Sequence, residues 1–179
     1  GHTGGKRNSM ATIGVLASGE GTTLQSLIDA SSRGELRCSI GCVVADRPAN
    51  ALGRARRHNI PVLLLPRRVH GGRLSAEIVN ALPVGTDLIV LAGFLSILRG
   101  GIIERYRGRI LNIHPSLLPK FGGCGMYGMR VHRAVIDAGE RESGCTVHFV
   151  DEGTDTGPIL LQRRLDIRPG ESPEELKER

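Results

Sequence analysis

Three short segments of this chain carry side chains suited to chemistry. The first is Asn112-Ile113-His114-Pro115-Ser116, at the end of a run that reads as a strand. Strand side chains alternate between faces, so Asn112 and His114 share one side. A carboxamide donor beside an imidazole suits acyl transfer, because the amide polarises a carbonyl while the imidazole moves a proton. A lone histidine is more often a satisfied structural group. Here the Asn two residues earlier and the rigid Pro-Ser-Leu-Leu-Pro turn that follows favour a functional pair.

The second segment is Ser18-Gly19-Glu20-Gly21-Thr22-Thr23, between an apolar run and a helical pattern. Its glycines let backbone approach a ligand closely, and the N–H groups of a helix start favour a phosphate. It has neither the Lys of a Walker loop nor the third Gly of a dinucleotide fingerprint. Its plain reading is a tight strand-to-helix turn capped by Thr22 or Thr23. The third segment is the acidic, Gly-rich Asp151-Glu152-Gly153-Thr154-Asp155-Thr156-Gly157-Pro158. It lacks the spacing and terminal Glu of a calcium loop. A solvated turn is its plain reading; a carboxylate that orients His114 and raises its pKa is the functional one. His148 reads as structural, His132 as a helix residue, and His58 and His70 as exposed, with no metal spacing among them.

These segments need a frame. Ala11–Ala17, Ile40–Ala45, Pro61–Leu65 and Asp87–Ala92 are short, continuous apolar runs, as strands buried on both faces are. Helical patterns fall between them, with Leu24, Leu27 and Ile28 in the first, then Ala51–His58 and Ser75–Leu82. The alternation predicts an α/β fold, a doubly wound, mostly parallel sheet flanked by helices. The second half changes style. Arg109–Ile113 reads as a strand, Val131–Ala138 as a helix, and Cys145–Val150 and Ile159–Leu165 as an antiparallel strand pair added to the sheet. Ser172-Pro173-Glu174-Glu175 has the composition of a helix start.

Composition narrows the classes. The chain has 179 residues, 40% of them apolar and 23% charged, which fits one globular domain. No apolar run reaches the roughly 18 residues of a membrane span. With three Phe, two Tyr and no Trp, a base-stacking nucleic-acid platform is disfavoured. The net charge of +6 is spread along the chain and reads as a solvated face that attracts small anions. Cys38, Cys42, Cys124 and Cys145 show no paired spacing and no export signal precedes them, so reduced thiols in a cytoplasmic protein are expected. Residues 1–9 read as a tag remnant before Met10, and residues 10–179 as a single domain whose last helix is cut short.

In order, SGEGTTLQSLIDA, LIVLAGFLSIL, ILNIHPSLLPKF, GCTVHFVDEGTDTGPILLQ and GESPEELKER resemble the glycinamide ribonucleotide formyltransferase family, folate-dependent transformylases of purine synthesis. The resemblance implies a formyltransferase, Rossmann-like fold and two small-molecule substrates, glycinamide ribonucleotide and 10-formyltetrahydrofolate. His114 would be the general acid, Asn112 would hold the formyl oxygen, and Asp155 would raise the pKa of His114. Gly19, Glu20, Gly21, Thr22 and Thr23 would receive the ribonucleotide phosphate. Arg73, Leu95, Ser96, Ile97, Leu98, Asn112, Asp151, Glu152, Gly153, Thr154 and Asp155 would bind the folate. No metal, no covalent enzyme intermediate, no nucleic acid and no membrane are implied, and the protein would be a monomer or homodimer.

The chain departs from the family pattern at several points. Its phosphate loop ends Thr22-Thr23 where relatives commonly have Ser-Asn, and Ser96 stands where some carry Arg. The loop Gly122–Met129 is longer and Gly-richer than in some relatives and would suit a lid over the folate. The family's ribose-binding Glu lies beyond Arg179. Rival readings keep the scaffold and change the role. Formyltetrahydrofolate deformylase gives the formyl group to water, methionyl-tRNA formyltransferase gives it to a charged tRNA, and a nucleotide binder transfers nothing. Pro115 and Lys120 favour the ribonucleotide enzyme.

Overall fold

A computed structural model describes residues 10–114, 129–138, 142–150, 159–167 and 170–177; for 129–131, 142–145, 159–166 and 176–177 it describes backbone alone. Residues 1–9, expected to be a tag remnant, lie outside it.

The first half alternates as expected, through β1 (Ala11–Ala17), α1 (Thr22–Ser32), β2 (Cys38–Ala45), α2 (Asn50–Arg57), β3 (Val62–Leu64), α3 (Arg67–His70), α4 (Leu74–Ala81) and β4 (Leu88–Leu91). Then come α5 (Gly101–Arg105), β5 (Ile110–His114), α6 (Met129–Asp137), β6 (Glu142–Phe149), β7 (Ile159–Asp166) and α7 (Pro173–Lys177). The described residues form one seven-stranded sheet in the order β3-β2-β1-β4-β5-β6-β7. Every pairing from β3 to β5 is parallel, whereas β5–β6 and β6–β7 are antiparallel.

Continuous apolar strands make sense because both faces are covered. Leu16, Val44 and Leu91 enter one core with Leu74, Ile78, Ile102 and Tyr106. Their strand neighbours Val15, Val43 and Val90 enter the opposite core with Leu24, Ile28, Ala51 and Leu52. Two-residue alternation thus feeds both layers from the same strands. Gly14 on β1 leaves room for one layer to pack closely, since a Cβ there would stand 2.8 Å from a Leu82 methyl, which would have to shift.

The start of α7 is built as its composition suggests. Ser172 Oγ accepts from the Glu175 amide at 3.1 Å, and the Glu175 carboxylate accepts from the Ser172 amide at 3.4 Å. This is a reciprocal capping box. The short helices α3 and α5 are additions to the expected list, and α2 stops where Asn59 takes a left-handed φ of 57°. The strand β3 has three residues, with Pro61 just before it and Pro66 two positions after.

Candidate active site

The loop after β1 is held from both sides. Gly21 has φ +82°, and a Cβ on it would lie 2.7 Å from the Ala51 Cα and 2.9 Å from its Cβ. Only glycine fits under α2 there. Gly21 is also the N-cap of α1, with no side-chain cap, so the expected Thr22 or Thr23 cap is corrected. The Gly21 carbonyl instead accepts the first helical bond from the Gln25 amide at 2.8 Å. With no side-chain cap and no acidic residue in the first turn, the positive end of α1 is suited to an anion. The Glu20 carboxylate accepts from Asn50 Nδ2 at 3.0 and 2.9 Å, and its carbonyl accepts from Arg54 Nε at 2.7 Å. The Gly19 carbonyl accepts from the Ala51 amide at 3.1 Å, which completes the clamp.

At the end of β5, Asn112 and His114 stand two rungs apart on an antiparallel ladder, with the Ile113–Val147 pair between them. Asn112 is opposite His148, and His114 is opposite Thr146. His114 is 3% exposed and His148 is 2% exposed. His148 Nδ1 lies 3.0 Å from the Phe149 carbonyl, and its Nε2 lies 3.0 Å from Asn112 Nδ2. A carbonyl only accepts, so Nδ1 carries the proton and Nε2 presents a lone pair. Asn112 Nδ2 therefore donates to Nε2, which fixes the orientation of the carboxamide. His148 is structural, as expected, and it acts on the residue with the proposed chemistry.

A third cluster was not anticipated. Asp46 follows β2 directly and is 1% exposed. Ser18 Oγ donates to one carboxylate oxygen at 2.7 Å and Ser96 Oγ to the other at 2.5 Å. Arg47 adds Nε and Nη2 bonds at 3.1 Å each. Ser18 Oγ in turn accepts from the Leu95 amide at 2.8 Å. Burial alone would raise the Asp46 pKa, but the hydrogen bonds from Arg47, Ser18 and Ser96, with the Arg47 charge, outweigh it. The carboxyl titrates below the ordinary value of 3.8. The sequence signal was available: Asp46 is the first charge after a buried apolar strand, at the carboxyl end where open α/β sheets collect ligands.

Within the expected folate segment, Ser96 and Leu98 are buried, Leu95 is half-buried and Ile97 is exposed. Ser96 turns its hydroxyl to Asp46. Arg73 ends an exposed 3₁₀ turn, Gly71–Arg73. Asp151, Glu152, Gly153, Thr154 and Asp155, with Pro115 and the loop Gly122–Gly128, lie outside the described residues. His58 is exposed as expected, whereas His70 is half-buried, a correction. His132 lies buried on α6. Among the described residues no group of three His, Cys, Asp or Glu is placed to hold a metal. No described helix is long and apolar enough to cross a membrane. Burial raises the pKa of the Cys38 and Cys42 thiols, which are unpaired. A cavity of about 310 Å³ lined by Leu82, Thr86, Arg105 and Arg109, among others, contains none of the candidate residues.

A family model for formyl transferase matches residues 11–179. The chain belongs to the formyl transferase family. It is 42% identical over 176 residues to phosphoribosylglycinamide formyltransferase of Haemophilus influenzae, covering 95% of this chain and 80% of that protein. The solved glycinamide ribonucleotide transformylase 1 of Symbiobacterium toebii superposes with a TM-score of 0.83 at 38% identity, over 94% of this chain and 79% of that one. Its counterpart from Geobacillus kaustophilus gives 0.83 at 40% identity, over 95% and 90%. A formyl transferase sheet with an antiparallel extension is thus the fold expected from the residues.

Proposed function

We propose that this formyl transferase moves the formyl group of 10-formyltetrahydrofolate to the amine of glycinamide ribonucleotide, a step of purine synthesis, in the cytoplasm. The observation that carries the reading is the Asn112–His114 pair at the end of β5, with the Asn112 amide oriented by His148. Support also comes from relatives that bear this activity in their names at about two-fifths identity across nearly the whole chain.

In the proposed reaction the substrate amine attacks the formyl carbon, and the carbonyl oxygen takes up negative charge. An amide nitrogen bears two N–H donors, and Asn112 is assigned to the developing oxyanion. The tetrahedral intermediate collapses as the bond between N10 and the formyl carbon breaks. N10 gains a proton from His114, and the attacking nitrogen loses one, so the proton count closes over a turnover. Asp155 is assigned to raise the pKa of His114, because a neighbouring negative charge favours the imidazolium. The ribonucleotide phosphate is assigned to Gly19, Glu20, Gly21, Thr22 and Thr23, of which the backbone amides at the start of α1 are the natural donors. Glu20 enters that set through its backbone, since its carboxylate would repel a phosphate. The pterin is assigned to Leu95–Leu98 with residues 151–155, and the folate tail to Arg73. No step calls on a metal.

The test follows tetrahydrofolate and formylated ribonucleotide separately, with and without glycinamide ribonucleotide. Matched appearance of both products, only when the ribonucleotide is present, is the expected result. Folate turnover with water as the acceptor would replace this reading with a deformylase. Ligand binding without turnover would replace it with a binder.

A further inference from the structure

Asp46 is more deeply buried than any other carboxylate among the described residues. It joins segments that follow three different strands. Ser18 follows β1, Asp46 follows β2 and Ser96 lies beyond β4, with β1 standing between β2 and β4 in the sheet. The carboxylate reaches past β1 to the β4 side, and Ser18 relays the contact to the Leu95 amide. Two backbone bonds reinforce this seam, from the Ser18 amide to the Gly93 carbonyl at 3.1 Å and from the Ala92 amide to the Leu16 carbonyl at 2.9 Å.

A carboxylate suits this position for a specific reason. Each of its oxygens accepts from one serine hydroxyl, and Arg47 adds a donor to both. Ser18 donates its proton to Asp46, and this orients an oxygen lone pair toward the Leu95 amide. A carboxamide has a single acceptor oxygen, so one serine would lose its acceptor, and a rotated Ser18 hydroxyl would release the Leu95 amide. The same network that satisfies the buried carboxylate therefore reaches the Leu95 backbone, in the segment before Leu98.

We propose that Asp46 is a positioning residue for the formyl donor, holding the backbone of Leu95–Leu98 in its receiving geometry. Through Ser18 it also ties that segment to the phosphate loop. This inference rests on the assignment of these two segments to folate and ribonucleotide.

The test uses the full chain carrying Asp46→Asn, Ser96→Ala or, as a control, Arg47→Ala. The readouts are kcat, the KM for 10-formyltetrahydrofolate at saturating ribonucleotide, the Kd of tetrahydrofolate by calorimetry, and hydrogen exchange of the Leu95 amide. Loss of a charge-assisted hydrogen bond predicts that Asp46→Asn raises the donor KM and the tetrahydrofolate Kd by about tenfold or more. kcat should change by less than about threefold, and Leu95 should exchange faster. Ser96→Ala should move the same quantities in the same direction by about two- to fivefold, and Arg47→Ala by less than about twofold. The proposal is overturned if Asp46→Asn lowers kcat in step with its folded fraction while KM, Kd and Leu95 exchange stay at wild-type values. If Asp46→Asn does not fold, Ser96→Ala decides alone, and an unchanged donor KM and Kd there overturns the proposal. Wild-type protein that binds tetrahydrofolate but does not formylate the ribonucleotide would sink the functional reading. Kd and Leu95 exchange would still decide the role of Asp46. Wild-type protein that binds no tetrahydrofolate would overturn both.

Discussion

The parallel and antiparallel halves of the sheet bury different kinds of side chain. From β3 to β5 the strands are parallel and almost wholly apolar, with Val15, Leu16, Val43 and Ile89 fully enclosed between two helical layers. On β6 the described interior positions include Thr146 and His148, both buried polar groups. The parallel half therefore supplies rigidity and places its polar groups just beyond the strand ends, at Ser18, Asp46 and Ser96. The antiparallel half places polar side chains within the ladder itself. β5 belongs to both. Asn112 pairs with Leu91 on one side and with His148 on the other. The proposed reacting pair stands where an apolar scaffold meets a polar one, which lets a buried imidazole and a half-buried amide find partners without breaking the core.

That contrast can be broken from either side. The largest effect should come from the seam: His114→Ala is expected to lower turnover by about 10² to 10⁴ while donor binding persists. Turnover near wild type would take His114 out of the reaction. Next, Asn112→Ala should cost about 10² to 10³ in kcat, as loss of one oxyanion donor does. His148→Ala should cost roughly tenfold alone and almost nothing further once Asn112 is already Ala, because the two act as one unit. Additive losses in that double-mutant cycle would mean that His148 acts on something other than the amide.

On the parallel side, Gly21→Ala forces a left-handed φ and a clash with Ala51, a strain of about 1–3 kcal/mol. It should appear as a higher ribonucleotide KM with the donor KM unchanged. The reverse pattern would exchange the assignments of the two loops. The smallest effect concerns acid. The Asp46 carboxyl is held below its ordinary pKa, so its contribution to stability is present above the unfolded value and is lost as pH falls through the folded one. In urea unfolding, wild type should be more stable than Asp46→Asn near neutral pH, with the gap closing as pH falls below about 4. A gap independent of pH would show that packing, and not charge, sets the difference.

Much of this was legible in the residues themselves. Continuous apolar runs marked β1, β2 and β4 because a strand covered on both faces has no solvent side to make polar. Asn112 and His114 stood out because their spacing matches the strand repeat and a proline turn follows. Two helices were missed because α3 and α5 span four and five residues, too few for a helical repeat to register. The Thr cap of α1 yielded to Gly21 because a tertiary approach, that of Ala51, decided the backbone there. Asp46 was overlooked for a related reason. Its place after β2 is visible in the sequence, but its serine partners are 28 and 50 residues away in the chain, and no local pattern connects them.

One feature of the fold bears on how these molecules behave in company. The sheet ends at β3, whose Leu63 and Leu64 side chains stand in solvent. A naked sheet margin of that kind invites another chain to add a strand and so to seed insoluble fibres. Here the margin is three residues long and bracketed by Pro61 and Pro66, neither of which has an amide proton to offer. Arg67 and Arg68 then place like charges beside any copy that approaches. The exposed leucines are therefore tolerable: a newcomer finds too few donors to zip onto and meets its own repulsion as it tries.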